Sequence, residues 1–319
     1  MFRRLPPLAR GVIAALLLGL NTLFWCSALF AAALVKLVVP AERARATIDH
    51  VLNAIATRWI AGNSAWMGAT QATAWDVVGI DRLDYGGWYL VTSNHQSWVD
   101  ILVLQHLLNR RIPLLKFFLK RQLIYVPVMG LAWWALEFPF MRRHSAAALA
   151  KRPELRQQDV NVARRACEKF ARVPTSVMNF VEGTRFTPAK HAAQESPYRH
   201  LLKPKAGAMA LALEVLGSRF DALLDVTIVY PDGVPTFWEF MCGRVPRIVV
   251  RAQRVPIPPE IASGDYTNDP AYRKRFQQWL EVLWQDKDAL VETLLQDASP
   301  CMRDRPPLPS RAPRDRTPA

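Results

Sequence analysis

The sequence predicts an α/β protein with a central, mostly buried sheet flanked by helices, preceded by an N-terminal membrane-associated helical segment. Three observations lead there. From residue 74 onward, short apolar and partly β-branched runs alternate with longer runs of helical period. Residues 11–35 carry no charge. Hydrophobic residues make up 51% of the 319, against 21% charged, which is ample material for a packed core. The chain divides accordingly into 1–70 (a membrane anchor and an amphipathic helix), 71–298 (one α/β domain) and 299–319 (a basic, Pro-rich tail expected to be disordered).

The uncharged stretch is interrupted only by Asn21, Thr22 and Ser27 and is long enough for a helix to cross a bilayer core, which takes about 20 residues. Arg3, Arg4 and Arg10 precede it as in a secretory signal, but its apolar run exceeds the roughly 7–15 residues of a signal, so it is expected to stay as an anchor. Lys36, Arg43, Arg45 and Arg58 follow, which leaves the positive-inside comparison nearly balanced. Residues 46–67 place Ile48, Val51, Leu52, Ile55, Trp59 and Ile60 at helical spacing. They form either an interfacial helix folded back on the first or an ordinary core helix. Folding back would return both ends to one side of the membrane.

Within the domain, Trp75, Val77, Val78 and Ile80 mark a strand over 74–80, and the polar residues 81–84 turn the chain. Residues 88–93, bounded by Gly86-Gly87 and Asn94, suit a buried strand. A helix is expected over 100–108, a strand over 113–118, and a helix over 121–134 broken near Pro127 and Gly130. Residues 152–172 read as a charged amphipathic helix, 175–181 as a third buried strand and 205–216 as a compact apolar helix. Strands over 222–230 and 247–254 and a helix over 272–295 complete the domain.

Lys and Arg number 41 against 27 Asp and Glu, a net charge of +14, which points to anionic partners such as lipid headgroups or phosphorylated substrates. Part of the excess lies in the tail, in Arg303, Arg305, Arg311, Arg314 and Arg316. A nucleic-acid ligand lacks support, because no binding motif is present and few aromatics interleave with the basic residues. Cys26, Cys167, Cys242 and Cys301 are scattered without a CxxC pair, which argues against a zinc site or a disulfide framework.

Three clusters carry chemistry. Ser93-Asn94-His95-Gln96-Ser97-Trp98-Val99-Asp100 follows a buried strand, where open α/β sheets place their ligands. His95 can take a proton near neutrality, and Asp100 can hold its Nδ1 proton and stabilise the imidazolium. Five residues along one helix rotate by about 500°, which leaves side chains roughly 140° apart. The pair therefore meets only if His95 lies in the loop and Asp100 in the first turns of the helix, with Ser93 or Asn94 capping the entry. The second cluster, Glu182-Gly183-Thr184-Arg185, also follows a strand and offers a flexible turn with groups for hydroxyl and phosphate recognition. Taken alone, a local Glu–Arg ion pair is its commoner use. The third is Phe138-Pro139-Phe140-Met141-Arg142-Arg143, whose adjacent arginines fit a phosphate or simply a strand end in solvent.

In this order, HxxxxD, aromatic–Arg and EGTR together resemble the glycerolipid acyltransferase family, which includes the lysophosphatidic acid acyltransferases. The NHQSWVD, FMRR and FVEGTRF segments look closest to a bacterial inner-membrane branch, and the resemblance covers roughly residues 75–255. It implies His95 as general base, Asp100 as its orienting partner, and Arg142, Arg143, Glu182, Gly183, Thr184 and Arg185 as the acceptor's binding residues. Val229-Tyr230-Pro231 falls where the family has a block associated with acyl binding. The implied reaction moves a fatty acyl group from acyl-CoA or acyl-ACP (acyl carrier protein) to a lysophospholipid hydroxyl, without metal or cofactor, at the inner membrane with the site facing the cytoplasm. Other acceptors, such as glycerol 3-phosphate, and a non-catalytic basic membrane-binding protein remain as alternatives. Val181 stands where the family usually has Pro, and Arg142 where its second block usually has Asp or another polar residue.

Overall fold

The structure, a computed structural model, describes residues 2–138, 140–141, 161, 164 and 174–298. The expected helix over 152–172, apart from Asn161 and Arg164, and the tail over 299–319 lie outside the described residues.

The strands are β1 (Ala74–Val78), β2 (Tyr89–Ser93), β3 (Leu115–Phe117), β4 (Leu119–Lys120), β5 (Phe140–Met141), β6 (Ser176–Asn179), β7 (Ala222–Val229) and β8 (Arg247–Val255). Six form one sheet in the order β1-β8-β7-β2-β6-β3, and β4 pairs with β5 apart from it. All pairings in the large sheet are parallel except β7 with β8. β2, β6 and β7 are buried along their whole lengths, which explains why apolar residues dominate them. Their starts are level, since Tyr89 pairs with both Ser176 and Ala222.

Among the described residues, the α-helices of five residues or more are α1 (Pro7–Val38), α2 (Glu42–Thr70), α3 (Val99–Leu108), α4 (Met129–Ala135), α5 (Pro188–Ala193), α6 (Gly207–Leu216), α7 (Phe237–Met241) and α8 (Pro270–Ala298). The sheet's alternation divides the core between its two faces. On one, Tyr89, Val91, Met178, Leu224 and Val226 pack with Val99, Leu104 and Leu108 of α3. On the other, Leu90, Val177 and Leu223 pack with Met209 and Leu213 of α6 and with Phe276, Leu280 and Trp284 of α8. The expected break over 121–134 appears as a 3-10 turn at Arg121–Tyr125 followed by α4, with Val128 in a left-handed conformation.

α1 and α2 form an antiparallel hairpin. Arg3, ahead of α1, donates to the carbonyl of Gly68 at the end of α2 (2.7 Å). Two of the three polar residues inside the uncharged stretch, Asn21 and Thr22, bond across to α2, while Ser27 bonds back to the Leu23 carbonyl of its own helix. Asn21 donates to the Trp59 carbonyl and the Asn63 amide oxygen (both 2.9 Å), and the Trp59 indole donates to Thr22 (3.2 Å). Gly62 admits this approach, because a Cβ there would stand 2.1 Å from the Asn21 oxygen. α2 buries Leu52, Ala56, Ile60, Trp66 and Met67, so it has the packing of a core helix. Among the described residues, α1 is the helix long and apolar enough to cross a membrane by length and composition. Only 17% of its most apolar window is buried, which separates it from a core helix. Leu16, Leu20, Leu23 and Phe24 lie on its exposed surface.

Candidate active site

The site forms where β2, β6 and β7 end. β2 is the middle strand of the three, and the residues beyond it are met from β6 on one side and β7 on the other. The register that pairs Tyr89 with Ser176, carried six residues past the strand starts, sets His95 beside Glu182. On the other side Asn94 bridges to β7, donating to the Ile228 carbonyl (2.8 Å) and accepting from its N–H (2.9 Å).

His95 lies in the loop before α3 and Asp100 in the first turn of α3, as their spacing requires. His95 Nδ1 is 2.9 Å from Asp100 Oδ2. The same oxygen accepts the backbone N–H groups of Gln96 (2.7 Å) and Ser97 (2.9 Å), and Oδ1 accepts the Tyr230 hydroxyl (2.6 Å). Asp100 is 1% exposed, and a carboxylate that deep is tolerable only with this set of donors. Burial, followed by the Asp100 charge, holds the Tyr230 phenol well above its ordinary range, so it remains a donor. Nδ1–H facing a carboxylate leaves Nε2 as the basic nitrogen. The His95 side chain is 11% exposed, which is access enough for a small group to reach it. Phe180 stacks on the imidazole at 3.9 Å between centroids and 14° between planes, fixing the ring's remaining freedom.

The expected cap on α3 by Ser93 or Asn94 is not made: Trp98 is the N-cap and makes no side-chain cap bond. Ser97 accepts from the Val99 N–H (3.2 Å) and anchors itself on the Pro235 carbonyl (2.6 Å). Asn94 is committed to β7 and Ser93 to the Asn94 carbonyl.

The turn after β6 is tied to this loop. Phe186 N–H donates to the His95 carbonyl (2.7 Å), and Gly183 occupies a left-handed conformation (φ 69°) that closes the turn onto the Phe180 carbonyl (2.8 Å). Glu182 points inward: Oε1 accepts the His95 N–H (2.9 Å) and Oε2 the Leu202 N–H (3.1 Å), at 1% exposure. Burial pushes its carboxyl up to about 7, against the downward pull of those two bonds. Arg185 points the other way, its guanidinium 4.7 Å from the centroid of the half-exposed Trp98 indole. Lys190 of α5 donates to Thr184 Oγ1 and to the Arg185 carbonyl, both at 2.9 Å.

Residues 74–231, which contain His95, Asp100, Phe180, Glu182, Arg185, Lys190 and Tyr230, match the family described as Acyltransferase. The chain belongs to the glycerolipid acyltransferase family. Similar named members include the 1-acyl-sn-glycerol-3-phosphate acyltransferase epsilon of Mus musculus, 23% identical over 67% of this chain and 60% of that protein. The gamma form of Homo sapiens is 27% identical over 56% of this chain and 45% of that protein. The chain thus spans about half the length of the curated relatives it matches. The crystal structure of PlsC, a 1-acyl-sn-glycerophosphate acyltransferase from Thermotoga maritima, shares the fold at a TM-score of 0.50 and 16% identity, over 89% of this chain and 98% of that one.

Against the family's motif positions, the structure brings His95, Asp100, Glu182, Gly183, Thr184 and Arg185 into one place. It separates the EGTR block by partner: Arg185 lies over the half-exposed Trp98, whereas both oxygens of Glu182 are bound to backbone N–H groups. Arg142 and Arg143 lie outside the described residues. Sequence reasoning missed Phe180, Tyr230 as the partner of Asp100, and Lys190. Phe180 was the findable one, since the aromatic directly before Val181-Glu182 falls level with Ser93, the last residue of β2.

Proposed function

We propose that the protein is a 1-acylglycerol-3-phosphate O-acyltransferase of a bacterial inner membrane, with its site facing the cytoplasm. It moves a fatty acyl group from acyl-CoA or acyl-ACP to the free hydroxyl of a lysophospholipid, most simply giving phosphatidic acid. The observation that carries this is His95 aligned on the buried, four-donor Asp100 at the ends of β2, β6 and β7, with an arginine at the rim. Family membership and the names of the similar proteins support the chemistry.

In this reaction the glycerol hydroxyl gives its proton to His95 Nε2 as its oxygen attacks the thioester carbon. Asp100 stabilises the imidazolium that forms. The tetrahedral intermediate collapses by breaking the carbon–sulfur bond, and the departing thiolate takes the proton back from His95. The products are an ester and a free thiol, and the acyl thioester is a co-substrate rather than a bound cofactor. Arg185 faces the acceptor's phosphate with a planar fork of donors. The exposed apolar surface of α1 holds the protein in the bilayer where both lipids reside.

The deciding experiment is an acyl-transfer assay of the full chain in mixed vesicles with palmitoyl-CoA or palmitoyl-ACP. The acceptors are 1-oleoylglycerol 3-phosphate, lysophosphatidylglycerol, lysophosphatidylethanolamine and glycerol 3-phosphate. Phosphatidic acid should be the fastest product. Faster acylation of another acceptor reassigns the substrate, and no acylation of any acceptor rejects the enzyme reading.

A further inference from the structure

α8 packs on the sheet face opposite α3, yet it is joined to His95 by an unbroken chain of hydrogen bonds. The indole N–H of Trp284, in the middle of α8 and 0% exposed, donates to the Leu202 carbonyl (3.0 Å). The N–H of that same Leu202 donates to Glu182 Oε2, and Glu182 Oε1 accepts the His95 N–H. Neighbouring groups on the same face of α8 hold both ends of this path. Asp288 accepts the N–H groups of Arg199 and His200 (both 2.8 Å), which fixes the segment leading into Leu202. Lys287, 1% exposed, donates to the Val226 carbonyl (2.8 Å) and to Thr227 (3.1 Å) on β7. Those residues directly precede Ile228, the partner of Asn94.

We propose that Glu182 and Trp284 are positioning residues for the His95 base, and that α8 sets its alignment without approaching the substrate. Resting on the acyl-transfer reading, this proposal gives the EGTR glutamate of this chain a role distinct from acceptor binding. Buried at the strand ends at 1% exposure, with its two oxygens turned to the backbone N–H groups of His95 and Leu202, Glu182 is shut off from a ligand. The angle at which His95 presents Nε2 therefore depends on a loop anchored by a helix on the other side of the sheet.

The test is steady-state kinetics of Glu182→Gln, Trp284→Phe and the double variant, as full chains in vesicles with palmitoyl-CoA and 1-oleoylglycerol 3-phosphate. Glutamine keeps the shape but sets an NH₂ against one of the two N–H donors. Glu182→Gln should lower kcat by about thirtyfold while the acceptor's KM stays within about twofold. Trp284→Phe, which removes the indole N–H while keeping an aromatic ring, should lower kcat by about three- to tenfold at unchanged KM. Because both act along one chain, the double variant should be no slower than Glu182→Gln by more than about twofold. A raised acceptor KM with preserved kcat in Glu182→Gln makes it a substrate ligand and overturns the proposal. So does full kcat in Trp284→Phe, or multiplicative losses in the double variant. If Glu182→Gln does not fold, the kcat of Trp284→Phe alone decides. A wild-type chain without acyl transfer would reject the function first and this proposal with it.

Discussion

The floor and the rim of the site are built on opposite plans. On the floor, Asp100 and Glu182 are each 1% exposed and every carboxylate oxygen has a donor. At the rim, Arg185 lies over an indole that is 48% exposed, and Lys190 is fastened to the turn that carries Arg185. A proton-transfer group works best when its geometry is set before substrate arrives, because rearrangement during the reaction adds to the barrier. A phosphate-binding group must stay accessible until the ligand replaces its water. Neighbouring letters of one motif, Glu182 and Arg185, thus fall on different sides of this division.

Substitutions on the floor should change kcat and those at the rim KM. The largest expected effect is His95→Ala, a loss of about a thousandfold or more in kcat with vesicle binding and far-UV circular dichroism unchanged. Retained turnover in that variant would break the comparison at its centre. Next is Arg185→Ala, expected to raise the KM for 1-oleoylglycerol 3-phosphate by about ten- to a hundredfold while kcat falls far less. Acylation of an uncharged monoacylglycerol should be nearly indifferent to the same change, which sharpens the assignment to phosphate. The smallest is Tyr230→Phe, which removes one of four donors to Asp100 and should lower kcat by about tenfold at constant KM. An effect on KM instead would move Tyr230 from the floor to the substrate.

Much of this division was legible in the letters. The spacing of His95 and Asp100 demanded a loop-to-helix junction, and the chain makes one there. The buried strands β2, β6 and β7 were visible as short, mostly apolar runs, and the uncharged stretch as α1. What escaped depends on neighbours far along the chain. Tyr230 reaches Asp100 across 130 positions, so no local pattern pairs them. Whether Glu182 turns inward or outward is set by the adjacent backbone of His95, which belongs to the loop after another strand. Asn94 does not cap α3 because β7 offers it both a donor and an acceptor, a choice made only once the sheet exists. α2 begins at Glu42 rather than near residue 46, since Arg43 and Arg45 are good helix formers that contribute nothing to an apolar stripe.

The level starts of β2 and β6 have a consequence for how such a chain tolerates insertions and deletions. His95 and Glu182 stand 87 positions apart, the same offset as the paired strand residues Tyr89 and Ser176. Residues gained or lost in the long crossover between the strands change that number without changing which groups meet, because the ladder sets its own alignment. One residue gained between Tyr89 and His95 leaves the crossover's length nearly untouched, yet it carries the histidine past Glu182 and turns its side chain toward the other face. The separation between the motif blocks is therefore free to drift among related sequences, while the six steps from strand start to histidine are held fixed.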